Sequence, residues 1–366
     1  MNKVKIGVIG CGNISSIYFE NLTKVFVNTE VYACSSLNGK SARAAAEKYG
    51  IPHVLTTKEL LENEEIQIIL NLTVPKMHFE ICKNSLLAGK HVYVEKPLAL
   101  TLKQGNELVE LAKERQLMLC CAPDTFLGGG LQTCRKLIDD GIIGMPVAAT
   151  AFMTCHGHES WHPDPEFYYE EGGGPMFDMG PYYLTALVSL LGEAKTVCGM
   201  AKTSFSKRTI TSDKKFGKVM DVKVPTHVAG TIEFRNGAIV TMITSFDIWS
   251  STLPRIEIYG TLGTLIVPDP NTFGGPVQLK LAHENEFKEI SLTHTYVENS
   301  RGIGIADMAN CIQTGEKPRV SGELANHVLE IMHAFYVSSR TKQYVDLLSS
   351  CNRPKELPVG LIKESV

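Results

Sequence analysis

The sequence predicts an α/β chain of two domains: a doubly wound parallel sheet over residues 1–122, then an α+β domain over residues 123–366 built on a large, mostly antiparallel open sheet. Three observations carry this. The first third alternates short apolar runs with helical periodicity, the pattern of parallel strands joined by right-handed helical crossovers. Beyond Pro123 the apolar residues switch to period two. The length of 366 residues exceeds what one core usually serves.

Each element has a local reason. Val4, Ile6, Val8 and Ile9 read as a buried strand, Gly10 and Gly12 turn the chain, and Ile14, Ile17, Tyr18 and Leu22 recur at helical spacing. Residues 31–34 form the second strand, and a helix over 40–49 is closed by Gly50. Thr56 with Glu59 makes a capping box ahead of a short helix and a strand at 66–72. A helix over 75–87 stops at Gly89, residues 91–95 are a strand, Thr101 with Gln104 caps a helix reaching Gln116, and 117–121 closes the series. In the second domain a helix at 131–140 precedes a strand at 147–155. Strands at 227–234, 238–246 and 255–259 are joined by Asn236-Gly237 and Gly260-Thr261-Leu262-Gly263. Helices over 303–313 and 323–340 are expected to pack back on the first domain. An open sheet leaves one face to be covered, so a homodimer or homotetramer is expected.

Composition narrows the partners. Lys and Arg number 36 against 39 Asp and Glu, with no long run of one sign, so neither nucleic acid nor an anionic membrane is expected and a small solute is. Residues 1–6 lead straight into a strand, and no apolar segment is long enough for a signal peptide or a membrane span, which points to a cytoplasmic protein. The ten cysteines are scattered through strands and helices, as reduced buried thiols would be.

Three segments carry chemistry. The turn Gly10-Cys11-Gly12-Asn13-Ile14-Ser15 follows a first strand and opens a helix. Gly10 permits the tight turn, Gly12 lets backbone amides approach a pyrophosphate, and Ser15 stands where a dinucleotide fingerprint has its third glycine. This is the start of a Rossmann domain, with NAD or NADP as the expected cofactor. After the second strand, 34–40 carries no acid to bind a ribose diol, whereas Ser35, Ser36 and Lys40, with Arg43 beyond, suit a ribose phosphate, so the leaning is toward NADP. Thr73 and His78 after the third strand, with Glu95 and Lys96 at the end of the fourth, complete the expected nucleotide contacts. Lys96, before Pro97, emerges at the carboxyl edge of the sheet, where ligands of such folds bind. The third segment, Gly172 to Tyr182, sets Asp178 and Tyr182 one helical turn apart behind a glycine run.

In this order the residues resemble the Gfo/Idh/MocA oxidoreductases, named for glucose-fructose oxidoreductase, inositol dehydrogenase and a rhizopine-catabolism protein. The resemblance rests on Gly10-Cys11-Gly12-Asn13-Ile14, Glu95-Lys96-Pro97, the helix end at 137–144, and Gly172-Gly173-Gly174 followed by Asp178 and Gly180, and spans nearly the whole chain. Many members carry a His four residues after that Asp and a second Asp three further on; here Tyr182 and Thr185 stand there. The Tyr form is similar to a branch in which the resemblance implies that the phenol is the acid/base, serving a secondary alcohol of a sugar or polyol.

The residues agree with that chemistry. Asp178 is expected to cap a helix that holds Tyr182 in its first turn, carries Leu184, Leu187, Val188 and Leu191 on its apolar face, and stops at Gly192. The positive helix end and the Lys96 ammonium are both expected to favour phenolate at Tyr182, with Lys96 also binding the substrate oxygen. Lys96, Tyr182 and Asp178 are the catalytic group. Asp124, Phe126, His156 and Trp161 are expected to line the substrate cleft, Trp161 stacking on a sugar face. The loop 155–162 holds three histidines and a carboxylate but matches no recognised zinc spacing, so no metal is expected. Two alternatives remain: a nucleotide or sugar sensor without turnover, and an enzyme that uses NAD transiently for hydrolysis or epimerisation.

Overall fold

The computed structural model describes residues 3–361, so the lead-in from Met1 and Asn2 lies outside the described residues. The first sheet comprises β1 (Val4–Ile9), β2 (Thr29–Ser35), β3 (His53–Val54), β4 (Ile68–Asn71), β5 (His91–Val94) and β6 (Leu119–Cys121). Its order is β3-β2-β1-β4-β5-β6, all pairs parallel, with the direction of winding reversing between β1 and β4. The crossovers are α1 (Ser15–Lys24), α2 (Lys40–Tyr49), α3 (Thr57–Glu62), α4 (Pro75–Leu87) and α5 (Leu102–Glu114). Both expected capping boxes form: Thr56 and Glu59 bond reciprocally at α3, and Thr101 and Gln104 at α5, satisfying N–H groups that the first turn leaves without partners. Strands buried on both faces explain the unbroken apolar runs; all four residues of β4 are buried.

The remaining chain runs α6 (Gly129–Asp139), β7 (Pro146–Thr154), α7 (Gly174–Asp178), α8 (Gly180–Leu191), β8 (Ala194–Lys202), β9 (Lys207–Thr209), β10 (Val219–Asp221), β11 (His227–Phe234) and β12 (Ile239–Ser245). It continues as β13 (Ile256–Gly260), β14 (Gly263–Val267), β15 (Val277–Leu281), β16 (Lys288–Ile290), α9 (Ile303–Thr314), α10 (Gly322–Thr341) and β17 (Val345–Asp346). Nine strands form one sheet in the order β16-β15-β14-β13-β7-β12-β11-β8-β17, antiparallel except for the β12–β7 pair, while β9 and β10 pair as a separate ribbon. Helices α8, α6 and α10 pack on this sheet. On its other face Met200, Thr231, Thr241 and Ile239 are exposed.

Helix α8 was expected to bury one face, but all twelve of its residues are buried, because α6, α10 and β7 enclose it. Helix α10 also packs on α5 and β6, and a bridge joins Cys120 to Ser321, so the late helix does return to the first sheet. The ten cysteines are free thiols. Among the described residues no helix is long and apolar enough to cross a membrane.

Candidate active site

The glycine turn is shaped for close approach. Gly10 sits at φ 103°, and a Cβ there would lie 2.7 Å from the backbone of Leu72, so only glycine fits; its N–H donates to the Ser35 carbonyl at 2.9 Å. A Cβ at Gly12 would meet nothing within 4 Å. That open space lies before the N-terminus of α1, whose first turn has neither a side-chain cap nor an acid. Free amides facing open space are what a pyrophosphate requires, so the turn fits a dinucleotide. Asn13 is exposed and Ile14 is the N-cap residue. Tyr18 of α1 donates to Glu95 Oε1 at 2.7 Å, and the N–H of Lys96 donates to Glu95 Oε2 at 3.0 Å, tying the turn's helix to the end of β5.

Lys96 reaches from that strand end to α7. Its ammonium donates to the Asp178 carbonyl at 2.7 Å and to Asp178 Oδ1 at 2.9 Å, which leaves one of its three donors for a ligand. Asp178 Oδ2 lies 3.1 Å from His158 Nε2. Burial opposes ionisation of Asp178, but Lys96 and His158 outweigh it and bring the carboxyl down to about 2. Burial would likewise lower the Lys96 ammonium; Asp178 and Tyr182 reverse that and hold it above its usual value. Asp178 therefore does not cap the helix after it. It is the last residue of α7, the N-cap of α8 is Met179 with no side-chain bond, and the carboxylate is spent on Lys96 and His158.

Tyr182 is in the first turn of α8 as expected, with the Lys96 ammonium 5.3 Å from its ring centroid. The expected fall in its pKa is not found. Burial pushes the phenol above its usual value, and Lys96 and Arg301 offset this only in part. Tyr182 thus holds its proton at neutral pH.

Comparison with known proteins shows the family and the fold. The Gfo/Idh/MocA oxidoreductase family, with its NAD-binding Rossmann fold, matches residues 4–122, and the family's C-terminal domain matches residues 131–266. The chain belongs to the Gfo/Idh/MocA oxidoreductases. It is 25% identical over 353 residues to a myo-inositol 2-dehydrogenase of Thermotoga maritima, covering 94% of this chain and 98% of the relative. An NAD-binding oxidoreductase from Klebsiella pneumoniae shares the fold at a TM-score of 0.84 and 19% identity, over 95% of this chain and all of that one. A levoglucosan dehydrogenase solved with NADH does so at 0.81 and 20%, with 95% and 100% coverage.

Within this oxidoreductase the other expected residues divide. Ser36 Oγ accepts from the Ala42 N–H at the start of α2, Ser35 is buried, and Lys40 is exposed. Thr73 N–H and hydroxyl both donate to Asn71 Oδ1. His78 is fully buried, its ring nitrogens 2.7 Å from the Pro97 carbonyl and 3.0 Å from the Thr73 carbonyl. It braces the turns after β4 and β5 against each other. Asp124 is buried and accepts from Gly302 and Gly304 N–H, which caps α9. Phe126 is also buried. Trp161 is 61% exposed and touches only the edges of His158 and His162 among rings. His156 stacks on Trp249, centroids 3.4 Å apart. Among the described residues no cluster of His, Cys, Asp or Glu is arranged to hold a metal ion.

Sequence reasoning passed over four residues near the chemistry. For His158 the sequence offers no more than a place, with His156 and His162, among the bases that would stand in for Tyr182. Arg301 faces Tyr182 from 119 positions along the chain, and Tyr168 lies close enough to Asp178 and Lys96 for their charges to act on it. Arg208, 6% exposed, ties Glu159 of the 156–160 loop to Asp247 beyond the end of β12. None of the four sits in a recurrent motif; only tertiary contact reveals them.

Proposed function

We propose that this oxidoreductase moves a hydride between a nicotinamide nucleotide and a secondary alcohol carbon of a sugar or polyol, with Tyr182 handling the hydroxyl proton. The observation that carries this reading is the Lys96–Asp178–His158 constellation beside a protonated Tyr182, at the carboxyl edge of the sheet whose first turn fits a pyrophosphate. Two of the similar proteins, a myo-inositol 2-dehydrogenase and a levoglucosan dehydrogenase, act on members of that substrate class.

Gly10, Gly12, Asn13, Ile14 and Thr73 would hold the nucleotide, which when bound supplies the hydride acceptor or donor. The spare Lys96 donor binds the substrate oxygen and stabilises its developing charge. In oxidation the C–H bond gives up its electron pair as hydride, the O–H proton passes to ionised Tyr182, and the carbonyl forms. In reduction the neutral phenol donates. Because burial keeps Tyr182 protonated, reduction meets the donor in its ready form at neutral pH, whereas oxidation draws on a small phenolate fraction and speeds up as pH rises. A second reading follows from the 3.1 Å His158–Asp178 contact, in which the imidazole is the base.

The cofactor leaning is toward NADP. Residues 34–40 carry no acid, Lys40 is exposed, and the Arg43 guanidinium lies 3.0 Å from where a Gly39 Cβ would stand, over the loop after β2. The exposed sheet face with Met200 and Ile239 supports a homodimer, which light scattering reads directly. Fluorescence titration with NADH and NADPH, followed by nucleotide reduction across a panel of sugars and polyols, tests the function. NADPH binding at least as tightly as NADH, together with turnover of one sugar or polyol, is expected. A preference for NADH removes the leaning, and no binding of either removes the function.

A further inference from the structure

Outside the catalytic constellation lies a cavity of about 420 Å³, lined by His156, Gly157, Glu159, Phe205, Lys207 and Trp249, with Arg208 in its wall. Its size falls within the range of small-molecule sites. Lys96, Asp178 and Tyr182 do not line it, so it is distinct from the place where hydride would move. One loop serves both. His158 points to Asp178, while His156, Gly157, Glu159 and Ser160 face the cavity. Two consecutive Cα–Cα steps put the backbone of His156 within about 7.6 Å of that of His158, so the same short loop borders both places.

The lining has a definite chemistry. Trp249 is 82% exposed, with one face stacked on His156 at an interplanar angle of 13° and the other free. Phe205 is half exposed beside it. The charges cancel: Arg208 is paired with Glu159 and Asp247, and Lys207 balances the remaining carboxylate. Each oxygen of Glu159 already accepts a bond, one from the Arg208 guanidinium and the other from the Tyr169 hydroxyl. Ser160, Thr209 and Thr211 add hydroxyls. A neutral wall with an open indole face and hydroxyl edges suits a neutral ring that has one apolar C–H face and a polar rim, which describes a pyranose; an anion would find no unpaired positive charge beyond Lys207.

We propose that this cavity is a second sugar subsite, so that the substrate is a glycoside whose reacting ring meets Lys96 and Tyr182 while its second pyranose stacks on Trp249. This rests on the sugar dehydrogenase reading above, and narrows it.

The test uses the two tryptophans of the chain, Trp161 and Trp249. In Trp161→Phe only Trp249 emits. Maltose, cellobiose, lactose and sucrose are titrated in the presence of NADP⁺ and compared with methyl glucoside, and the same sugars are assayed for turnover by the wild type and by Trp249→Ala. At least one disaccharide is expected to change Trp249 emission saturably where methyl glucoside does not. Trp249→Ala is expected to raise KM for that disaccharide about tenfold more than for methyl glucoside, with kcat changed little. Equal effects on both sugars, or turnover of monosaccharides with no emission change by any disaccharide, overturns the subsite and leaves the dehydrogenase reading standing. No turnover of any sugar or polyol with either nucleotide overturns both.

Discussion

Asp178 is the joint of the site, and replacing it by Asn separates charge from shape. The carboxylate holds Lys96 through Oδ1 and faces His158 through Oδ2, and its pKa has fallen from 3.8 to about 2. At about 1.4 kcal/mol per pKa unit, the surroundings favour the ionised form by roughly 2 kcal/mol even after burial has opposed it. An amide keeps the volume and loses that attraction. Lys96, whose charge is held up by Asp178 against its burial, then becomes easier to deprotonate, and the donor meant for the substrate oxygen weakens. One such donor is commonly worth about 10²–10³ in rate. Asp178→Asn should therefore lower kcat about 10²-fold, or about 2.7 kcal/mol of barrier, while the nucleotide Kd stays within about twofold, a range narrow beside that loss, since no hydrogen bond joins Asp178 to the Gly10–Gly12 turn. The assay is steady-state turnover at saturating nucleotide alongside fluorescence titration of NADPH, with a thermal melt to confirm folding. Turnover within about threefold of wild type, well short of a lost donor's effect, or a loss confined to KM, would refute the reasoning.

Three further outcomes follow from the geometry. Gly12→Leu puts a side chain into the open space before α1 without backbone strain, so Tm should hold while the nucleotide Kd rises at least about tenfold; an unchanged Kd would mean the phosphates lie elsewhere. Arg208→Met strands Glu159 and Asp247 without their buried counter-ion and should cost about 3–5 kcal/mol in a denaturant melt, whereas a loss below about 1 kcal/mol would mark the cluster as solvated. Lys96→Met removes the ammonium 5.3 Å from the Tyr182 ring, so the alkaline-rising limb of kcat/KM for alcohol oxidation should move to still higher pH; a shift to lower pH contradicts the assignment.

The parts of this molecule written in local chemistry are legible in its sequence. Helix α2 ends where Gly50 ends it, α4 starts at Pro75, and both capping boxes form, because each depends on residues within one turn. Strand β8 gave no such signal. Its inner face carries Gly199, since a Cβ there would stand 2.4 Å from the ring of Phe335 in α10, and a strand emptied to admit a distant helix lacks the bulky alternation by which strands are read. The site divides the same way. The glycine turn, Lys96 and Tyr182 announce themselves by position. Asp178 has a local reading as a helix cap, but the cation that claims its carboxylate is 82 residues away. The pKa of Tyr182 was misjudged for a related reason: a helix end and a lysine are visible in sequence, and the burial that outweighs them is not.

The measurement that bears most directly on the account is turnover of Tyr182→Phe with the sugar or polyol that the wild type oxidises, taken with NADP(H) affinity on the same preparation. The ring and its packing in α8 remain and only the hydroxyl is lost. If Tyr182 carries the proton, kcat falls about 10²-fold or more in both directions, while the nucleotide Kd is unchanged. Near-wild-type turnover would contradict it, reduce Tyr182 to a packing residue, and pass the proton to His158.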